Sequence, residues 1–111
     1  WGYTPLESIA FGIPTITTDL AGFGLWAKKH VTGNNISEGV AVVNRDDFNY
    51  FEVADAITSS ILTLAGKDKK EAEEIRKRSF CLAAKAEWSK FIVYYEEAFR
   101  IALEHASKRN N

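Results

Sequence analysis

The sequence predicts an α/β protein in which two parallel strands alternate with helices and three further helices follow. Two short segments, "IPTITT" (13–18) and "VAVVN" (40–44), are rich in β-branched residues, as strands are. The second segment is apolar throughout, which is typical of a strand buried on both faces of a parallel sheet. Helical patterns precede and separate the two segments, and this alternation favours parallel strands with right-handed crossovers.

The first helix is expected over about residues 5–11. Thr4, followed by Pro5 and then by Glu7, matches a capping box with Thr4 as the N-cap. The free amides and the positive dipole at such a helix start form an anion site, and Gly2 lets a ligand approach the backbone closely. The local pattern leaves two interpretations open: Thr4 and Glu7 contribute to a nucleotide site, or they only cap the helix.

The segment between the strands follows the carboxyl end of the first one. "DLAGFG" (19–24) is predicted to be a turn, and "FGLWAKKH" (23–30) a short helix with basic residues near its C-terminal end. "TGNNISEG" (32–39) is predicted to be a loop. Because open α/β sheets bind ligands beyond the carboxyl ends of their strands, Asp19 and the glycine loop either line a ligand cleft or only turn the chain.

Three helices are predicted in the second half of the chain, each with an apolar stripe at helical spacing. The first runs from about Asn49 to Gly66 with the stripe Phe51, Ala54, Ile57, Ile61 and Leu64. The second covers 68–85 with the stripe Ala72, Ile75, Ser79 and Leu82 and the ion pairs Glu73/Lys77 and Glu74/Arg78. The third begins near Glu87 or Trp88 and is expected to bury Trp88, Phe91 or Ile92, Tyr95, Ala98, Phe99 and Ala102, before a polar tail at 107–111.

Composition narrows the classes of function. The chain has 111 residues, 46% hydrophobic and 26% charged, as in one soluble domain or part of one. A formal net charge of −1 gives no field that would attract nucleic acid, and no apolar run is long enough to span a membrane. Two strands do not make a stable parallel sheet, so further strands are expected from residues before Trp1 or from another chain, unless the sheet is a small one.

The isolated reactive side chains favour no catalytic role. Cys81 has no partner for a disulfide, which indicates a reducing, cytoplasmic setting, and it is expected to be at least half buried. His30 and His105 share no metal-ligand spacing, so the sequence predicts neither a metal site nor a bound cofactor. The sequence contains no methionine, so it is not expected to begin where translation began.

The stretch "WGYTPLESIAFGIPTITTDLAGFG" (1–24) resembles the donor-binding region of the eukaryotic-type glycogen synthase family, retaining glycosyltransferases with two Rossmann-like domains, the GT-B architecture. Members carry Trp-Gly-Tyr-Thr-Pro, then Gly-Ile-Pro, paired threonines and Leu-x-Gly-Phe-Gly. "GVAVVNR" (39–45) is similar to the family's next strand, and "WSKFIVYYEEAFRIAL" (88–103) to its closing helix. The resemblance implies that 1–111 is the C-terminal part of a Rossmann-like GT-B nucleotide-sugar-binding domain, with 88–107 as the closing helix.

The resemblance also implies roles for the start of the first helix. Gly2, Tyr3 and Thr4 match the segment whose amides and hydroxyl hold the diphosphate of the donor. Glu7 matches a glutamate that binds the ribose, whereas the family's glutamate at the reaction centre would precede Trp1. The chain therefore carries substrate-binding residues and no catalytic residue, and by itself it is expected to be inactive.

The full enzyme implied by the resemblance transfers glucose from UDP-glucose to the non-reducing end of an α-1,4-glucan with retention of configuration. Its partners would be this donor, the glucan acceptor and the missing N-terminal part of the same enzyme. Neither nucleic acid nor a membrane is expected as a partner. The resemblance leaves open whether the enzyme forms a homo-oligomer. One alternative is another GT-B glucosyltransferase, such as an ADP-glucose-dependent glycogen or starch synthase. The other is a non-catalytic interaction module that uses its helices to bind a partner.

Regulated members of this family carry a dense arginine helix before the closing tryptophan, and that helix binds glucose 6-phosphate. The basic residues that match this pattern are Lys69, Lys70, Arg76 and Arg78. The pattern is interrupted at Ala72, Glu73 and Cys81, and acidic residues on the same helix weaken the field that would attract a phosphate. We therefore expect weak or no activation by glucose 6-phosphate.

Overall fold

The computed structural model describes residues 1–110, and these residues form five α-helices, two strands and a turn of 3-10 helix. In chain order they are α1 (Tyr3–Ala10), β1 (Thr15–Thr18), α2 (Gly22–Ala27), the 3-10 turn (Ile36–Glu38), β2 (Val40–Val43), α3 (Tyr50–Ala65), α4 (Lys69–Ala84) and α5 (Trp88–Arg109). The α/β class and the predicted order of elements are thereby confirmed.

The two strands pair in parallel, as their separation by a helix predicts. Thr15 lies opposite Val40 and Thr18 opposite Val43, without a bulge. All four residues of β2 are buried, in agreement with their continuous apolar run, whereas β1 is partly exposed along its whole length. Within residues 1–110 the sheet consists of these two strands.

The hydrophobic core lies where α1, α2 and α4 pack against the sheet. Its buried members are Ile9, Phe23, Ala27, Val40, Val42 and Leu82. α4 supplies the stripe expected of it, since Ile75, Ser79 and Leu82 are buried. Burial of these side chains removes apolar surface from water, which stabilises the fold by about 25 cal/mol for each Å² removed.

α4 is held by polar contacts that differ from the predicted ones. Its first turn is fixed by a capping box between Asp68 and Glu71. The predicted i,i+4 pairs are wrong: Lys77 lies 3.6 Å from Glu74, and the Arg78 guanidinium donates to the carbonyl of Ser37 at 2.7 Å. A backbone acceptor within reach competes with a solvated ion pair, which is itself worth less than about 1 kcal/mol.

α3 exposes much of the face that was predicted to be buried. Val53 and Ser60 are its buried residues, while Phe51 and Ile61 are exposed. The helix contacts the 3-10 turn and β2, and its two buried residues are smaller than the exposed Phe51 and Ile61. Of the predicted stripe, Ile57 and Leu64 are half-buried and the other three residues are exposed, so the stripe is only partly confirmed. The bounds of the helix agree with the prediction.

α5 is helical as predicted, but its apolar stripe is not buried. None of the described residues Trp88–Arg109 is fully buried, and the exposed fractions of Trp88, Tyr95 and Phe99 are 60%, 51% and 63%. Phe91, near the start of the helix, makes the principal aromatic contact with the core side, at 5.7 Å from the ring of Trp1. The helix also continues through most of the predicted polar tail, to Arg109.

Cys81 is exposed, against the expectation of at least partial burial. It lies on α4 next to the buried Leu82 but outside the stripe that faces the core. Among the helices of residues 1–110, none is both long enough and apolar enough to cross a membrane.

Candidate functional site

The start of α1 differs from the predicted capping box. The helix begins at Tyr3, and its N-cap is Gly2, whose φ of 88° lies in the left-handed region that favours glycine. Thr4 is therefore already inside the first turn, and within residues 1–110 no side chain caps this helix end. The capping interpretation of Thr4 and Glu7 is wrong because Gly2 lets the helix start earlier than a β-branched N-cap would.

The absence of a side-chain cap among the described residues leaves the first amides of α1 available. The N–H groups of Tyr3 and Thr4 have no acceptor within the helix, and Pro5 has no N–H to satisfy. The side chains of Tyr3, Thr4 and Glu7 are exposed. A helix end of this kind favours an anion, because its free donors and its dipole act in the same direction.

The glycine loop of residues 19–24, whose last three residues form the first turn of α2, lies directly against the start of α1. The N–H of Phe23 donates to the carbonyl of Trp1 at 2.7 Å. A Cβ atom on Gly22 would lie 3.2 Å from the Cα of Trp1, and one on Gly2 would lie 3.9 Å from the Cβ of Ala21. The structure thus brings together two segments that lie apart in the sequence.

The close packing of α2 on β1 depends on a second glycine of the same loop. A Cβ atom on Gly24 would lie 1.9 Å from the carbonyl oxygen of Thr18, well inside van der Waals contact. No side chain fits there, so Gly24 lets α2 begin directly above the carboxyl end of β1. This position of α2 fixes the loop that contacts Trp1.

Asp19, the first residue after β1, forms a hydrogen-bonded network that the sequence analysis did not predict. Its Oδ2 accepts from Lys28 Nζ at 2.9 Å and from Asn44 Nδ2 at 2.8 Å, and its Oδ1 accepts from the N–H of Arg45 at 2.9 Å. These bonds hold the pKa of the Asp19 carboxyl well below its usual range, with the Asn44 bond as the largest cause. Its side chain is 9% exposed.

A sequence signal for this network was available. Asp19 directly follows the predicted strand 13–18, and Asn44 is the last residue of the predicted strand 40–44. The carboxyl ends of parallel strands meet at one edge of a sheet. The Asp19 carboxylate therefore lies at the edge where α/β sheets bind ligands, beside the loop that contacts the start of α1.

Tyr3 belongs to a second feature, which we call the aromatic groove. This cavity of about 370 Å³ separates the start of α1 from α5. Its lining residues are Trp1, Tyr3, Leu6, Ala86, Trp88, Phe91, Tyr94 and Tyr95. The side chain of Tyr3 thus lines a groove dominated by aromatic side chains, while its backbone amide belongs to the helix end.

Metal-binding chemistry has no support in the part of the chain that the structure describes. Residues 1–110 contain no group of three or more His, Cys, Asp or Glu side chains that could hold a metal ion. His30 and His105 are exposed. The ring of His30 packs 4.9 Å from that of Trp26. Desolvation by burial, together with the positive charges of Lys85 and Lys29, lowers the pKa of the imidazole.

Fold and site together define a class of protein: an α/β unit with a helix start and a glycine loop at the carboxyl edge of its parallel strands. Proteins with open α/β sheets commonly bind nucleotides at this edge. The chain belongs to the glycogen synthase family, whose model, described as "Glycogen synthase", matches residues 1–110. The resemblance that the motifs indicated is thereby confirmed.

Curated relatives agree with this assignment. The chain is 30% identical over 104 residues to a glycogen [starch] synthase of Caenorhabditis elegans, covering 94% of this chain and 15% of that protein. It is 28% identical over 106 residues to a glycogen [starch] synthase of Neurospora crassa and to the liver glycogen [starch] synthase of Mus musculus, covering 96% of this chain in both cases. The chain spans about 15% of the length of these relatives.

Proposed function

We propose that this chain is the C-terminal part of the donor-binding domain of a glycogen synthase-like glycosyltransferase with Rossmann-like GT-B architecture. The complete enzyme would be cytoplasmic and would transfer glucose from UDP-glucose to the non-reducing end of an α-1,4-glucan with retention. In this proposal the chain alone is inactive, because the remaining part of the enzyme supplies the catalytic carboxylate and the acceptor surface. Membership of the glycogen synthase family supports the class of reaction.

The observation that carries the proposal is the uncapped start of α1 at the carboxyl edge of the sheet. The amides of Tyr3 and Thr4 would donate to the diphosphate, and Gly2 has no side chain that would obstruct its approach. The negative charge on a diphosphate grows as it departs, so donors fixed before the reaction stabilise the transition state more than the ground state. The helix start thus supports both binding and leaving-group departure.

Glu7 would bind the ribose of the same nucleotide. Its carboxylate is exposed and lies one turn beyond Tyr3 on the same helix. A carboxylate one helical turn from the proposed diphosphate position could accept from both hydroxyls of a ribose, since each hydroxyl can donate to one carboxylate oxygen. The exposed hydroxyl of Thr4 adds a donor between the two groups.

A glucosyl-transfer assay on the full-length protein tests this proposal. The wild type is expected to transfer glucose from UDP-glucose to glycogen and to use ADP-glucose less efficiently. Glu7→Gln should raise the KM for UDP-glucose roughly tenfold to a hundredfold, since a hydrogen bond to a charged group contributes about 1.5–3 kcal/mol. The matched control is Glu52→Gln, which changes an exposed glutamate on a different helix, α3. It should leave the KM for UDP-glucose unchanged.

A non-catalytic interaction module is the second candidate, and the exposed stripe of α5 is the observation that favours it. Large aromatic side chains such as Trp88 and Phe99 lie on the surface of the described residues, as they would in a docking helix. A full-length protein that transfers glucose from neither UDP-glucose nor ADP-glucose would favour the module. Transfer from ADP-glucose alone would instead indicate the bacterial or plant type of synthase.

We further propose that glucose 6-phosphate activates this enzyme weakly or not at all. Arg76 donates from Nε to the carbonyl of Gly12 at 3.2 Å, and Arg78 donates to the carbonyl of Ser37 at 2.7 Å. One donor of each guanidinium thus bonds to the backbone, and turning the whole group towards a phosphate would break that bond. Millimolar glucose 6-phosphate should change kcat/KM by less than the about fivefold that is typical of allosteric coupling. Activation above that range would contradict this proposal.

A further inference from the structure

Asp19 stands where three elements meet. Its backbone N–H donates to the carbonyl of Val43 at 3.2 Å, which extends the pairing of β1 and β2 by one residue. Its carboxylate contacts the segment after β2 through Asn44 and Arg45, and the C-terminal end of α2 through Lys28. One side chain therefore joins both strand ends to α2.

The part of the chain that Asp19 anchors is the loop that contacts the start of α1. Residues 20 and 21 connect Asp19 to α2, which begins at Gly22 and bonds to the carbonyl of Trp1 through the N–H of Phe23 at 2.7 Å. Gly22 also approaches the backbone of Trp1 closely. Displacement of this loop would therefore move the residues immediately before α1.

We propose that Asp19 is a positioning residue for the donor site: its carboxylate fixes the loop of residues 20–22, and this loop fixes the backbone of Trp1 and Gly2 from which α1 starts. The part of this inference that concerns the nucleotide rests on the proposed function. In this proposal Asp19 contacts no substrate and acts through the backbone of the residues before α1.

Charge and acceptor geometry explain why a carboxylate suits this position. All three groups that face it are donors, one of them the ammonium of Lys28. An amide in its place would retain one acceptor oxygen but turn an NH₂ group towards donors, and alanine would leave all three donors without their acceptor. The lowered pKa of the Asp19 carboxyl agrees with this arrangement.

The test compares Asp19→Ala and Asp19→Asn with the wild type of the full-length protein. Asp47→Ala removes an exposed aspartate from the segment before α3 and is the matched control. Two quantities are measured at a temperature at which every variant is folded: the hydrogen-exchange rate of the Phe23 amide, and the KM and kcat with UDP-glucose. The first reports contact between the loop and Trp1, and the second reports the donor site.

We expect Asp19→Ala to accelerate exchange at Phe23 and to raise the KM on the order of tenfold, with a smaller change in kcat, because a binding group is displaced and no reacting group is removed. Asp19→Asn should recover part of both effects, and Asp47→Ala should match the wild type. Asp19→Ala with the exchange rate and KM of the wild type would overturn the inference, as would equal effects of Asp47→Ala.

The two proposals fail in different ways. A wild type that does not use UDP-glucose overturns the proposed function, while exchange at Phe23 still decides whether Asp19 holds the loop. If Asp19→Ala does not fold, Lys28→Ala and Asp19→Asn replace it. Each retains part of the network, so faster exchange at Phe23 in both supports the inference, and unchanged exchange in both contradicts it.

Discussion

α4 and α5 are neighbouring helices with similar apolar stripes in the sequence and opposite environments in the structure. α4 buries Ile75, Ser79 and Leu82 against the core, whereas none of the described residues of α5 is fully buried. The difference is one of partners: α4 packs against α1, while α5 meets the rest of the chain mainly at the aromatic groove. A period of about 3.6 residues thus indicates a helix and its apolar side, but burial also requires a surface to pack on.

Among the substitutions in the packed part of the chain, Gly24→Ala should cause the largest loss in the free energy of unfolding. The added Cβ would lie 1.9 Å from the carbonyl oxygen of Thr18, so α2 and β1 would have to separate. We expect a loss above about 4 kcal/mol in the free energy of unfolding, measured by urea titration. Gly66→Ala is the control, because its Cβ would make an ordinary 3.5 Å contact and should change stability by less than about 1 kcal/mol.

Leu82→Ala and Leu103→Ala compare the two helices directly. Leu82 on α4 is 5% exposed, and its truncation should cost about 3 kcal/mol through lost burial and a residual cavity. Leu103 on α5 is 71% exposed, so its truncation in the 111-residue chain should stay within about 0.5 kcal/mol. Equal losses would show that Leu103 is packed as well as Leu82 in this chain, and the difference between α4 and α5 would then be wrong.

Ser79→Ala is expected to have a smaller effect. The buried hydroxyl donates to the carbonyl of Gly39 at 2.9 Å, and this oxygen also accepts from the N–H of Thr15 at 3.1 Å. Because the carbonyl keeps one partner, the loss should be about 1 kcal/mol in urea unfolding. Ser89→Ala on the exposed side of α5 should change stability by less than about 0.5 kcal/mol, and a larger loss there than at Ser79 would contradict the assignment of faces.

The effect confined to the narrowest conditions is a difference in acid stability that depends on Asp19 and appears only at low pH. Because the pKa of its carboxyl is lower in the folded state than the ordinary 3.8, the unfolded state takes up the proton first as the pH falls. The stabilisation is complete above about pH 4 and is lost as the pH falls towards the folded pKa. Stability should therefore fall more steeply below pH 4 in the wild type than in Asp19→Asn, and parallel curves would rule this out.

Local signals in the sequence predicted the elements well. The β-branched run 40–44 indicated the buried strand, and the stripe from Ile75 to Leu82 indicated the packed side of α4. Features that depend on contacts between distant segments were not predicted. The inner face of α3 was assigned from its largest side chains, although the helix packs through small ones such as Ser60.

The candidate site was predicted in outline. Gly2, Tyr3, Thr4 and Glu7 do lie at a helix start, but the left-handed conformation of Gly2 places that start earlier than the pattern of Thr4 and Glu7 suggested. The Asp19 network joins positions that are far apart in sequence, and the strand register that aligns them follows only from the fold. The roles of the four residues towards a nucleotide stay a prediction.

A crystal structure of the full-length protein with bound UDP would test the central claim most directly. We predict that the diphosphate lies within hydrogen-bonding distance of the Tyr3 and Thr4 amides, that the ribose hydroxyls contact Glu7, and that residues 20–22 border the nucleotide. A diphosphate bound away from the start of α1, for example in the aromatic groove, would contradict the assignment of this helix end as the donor site.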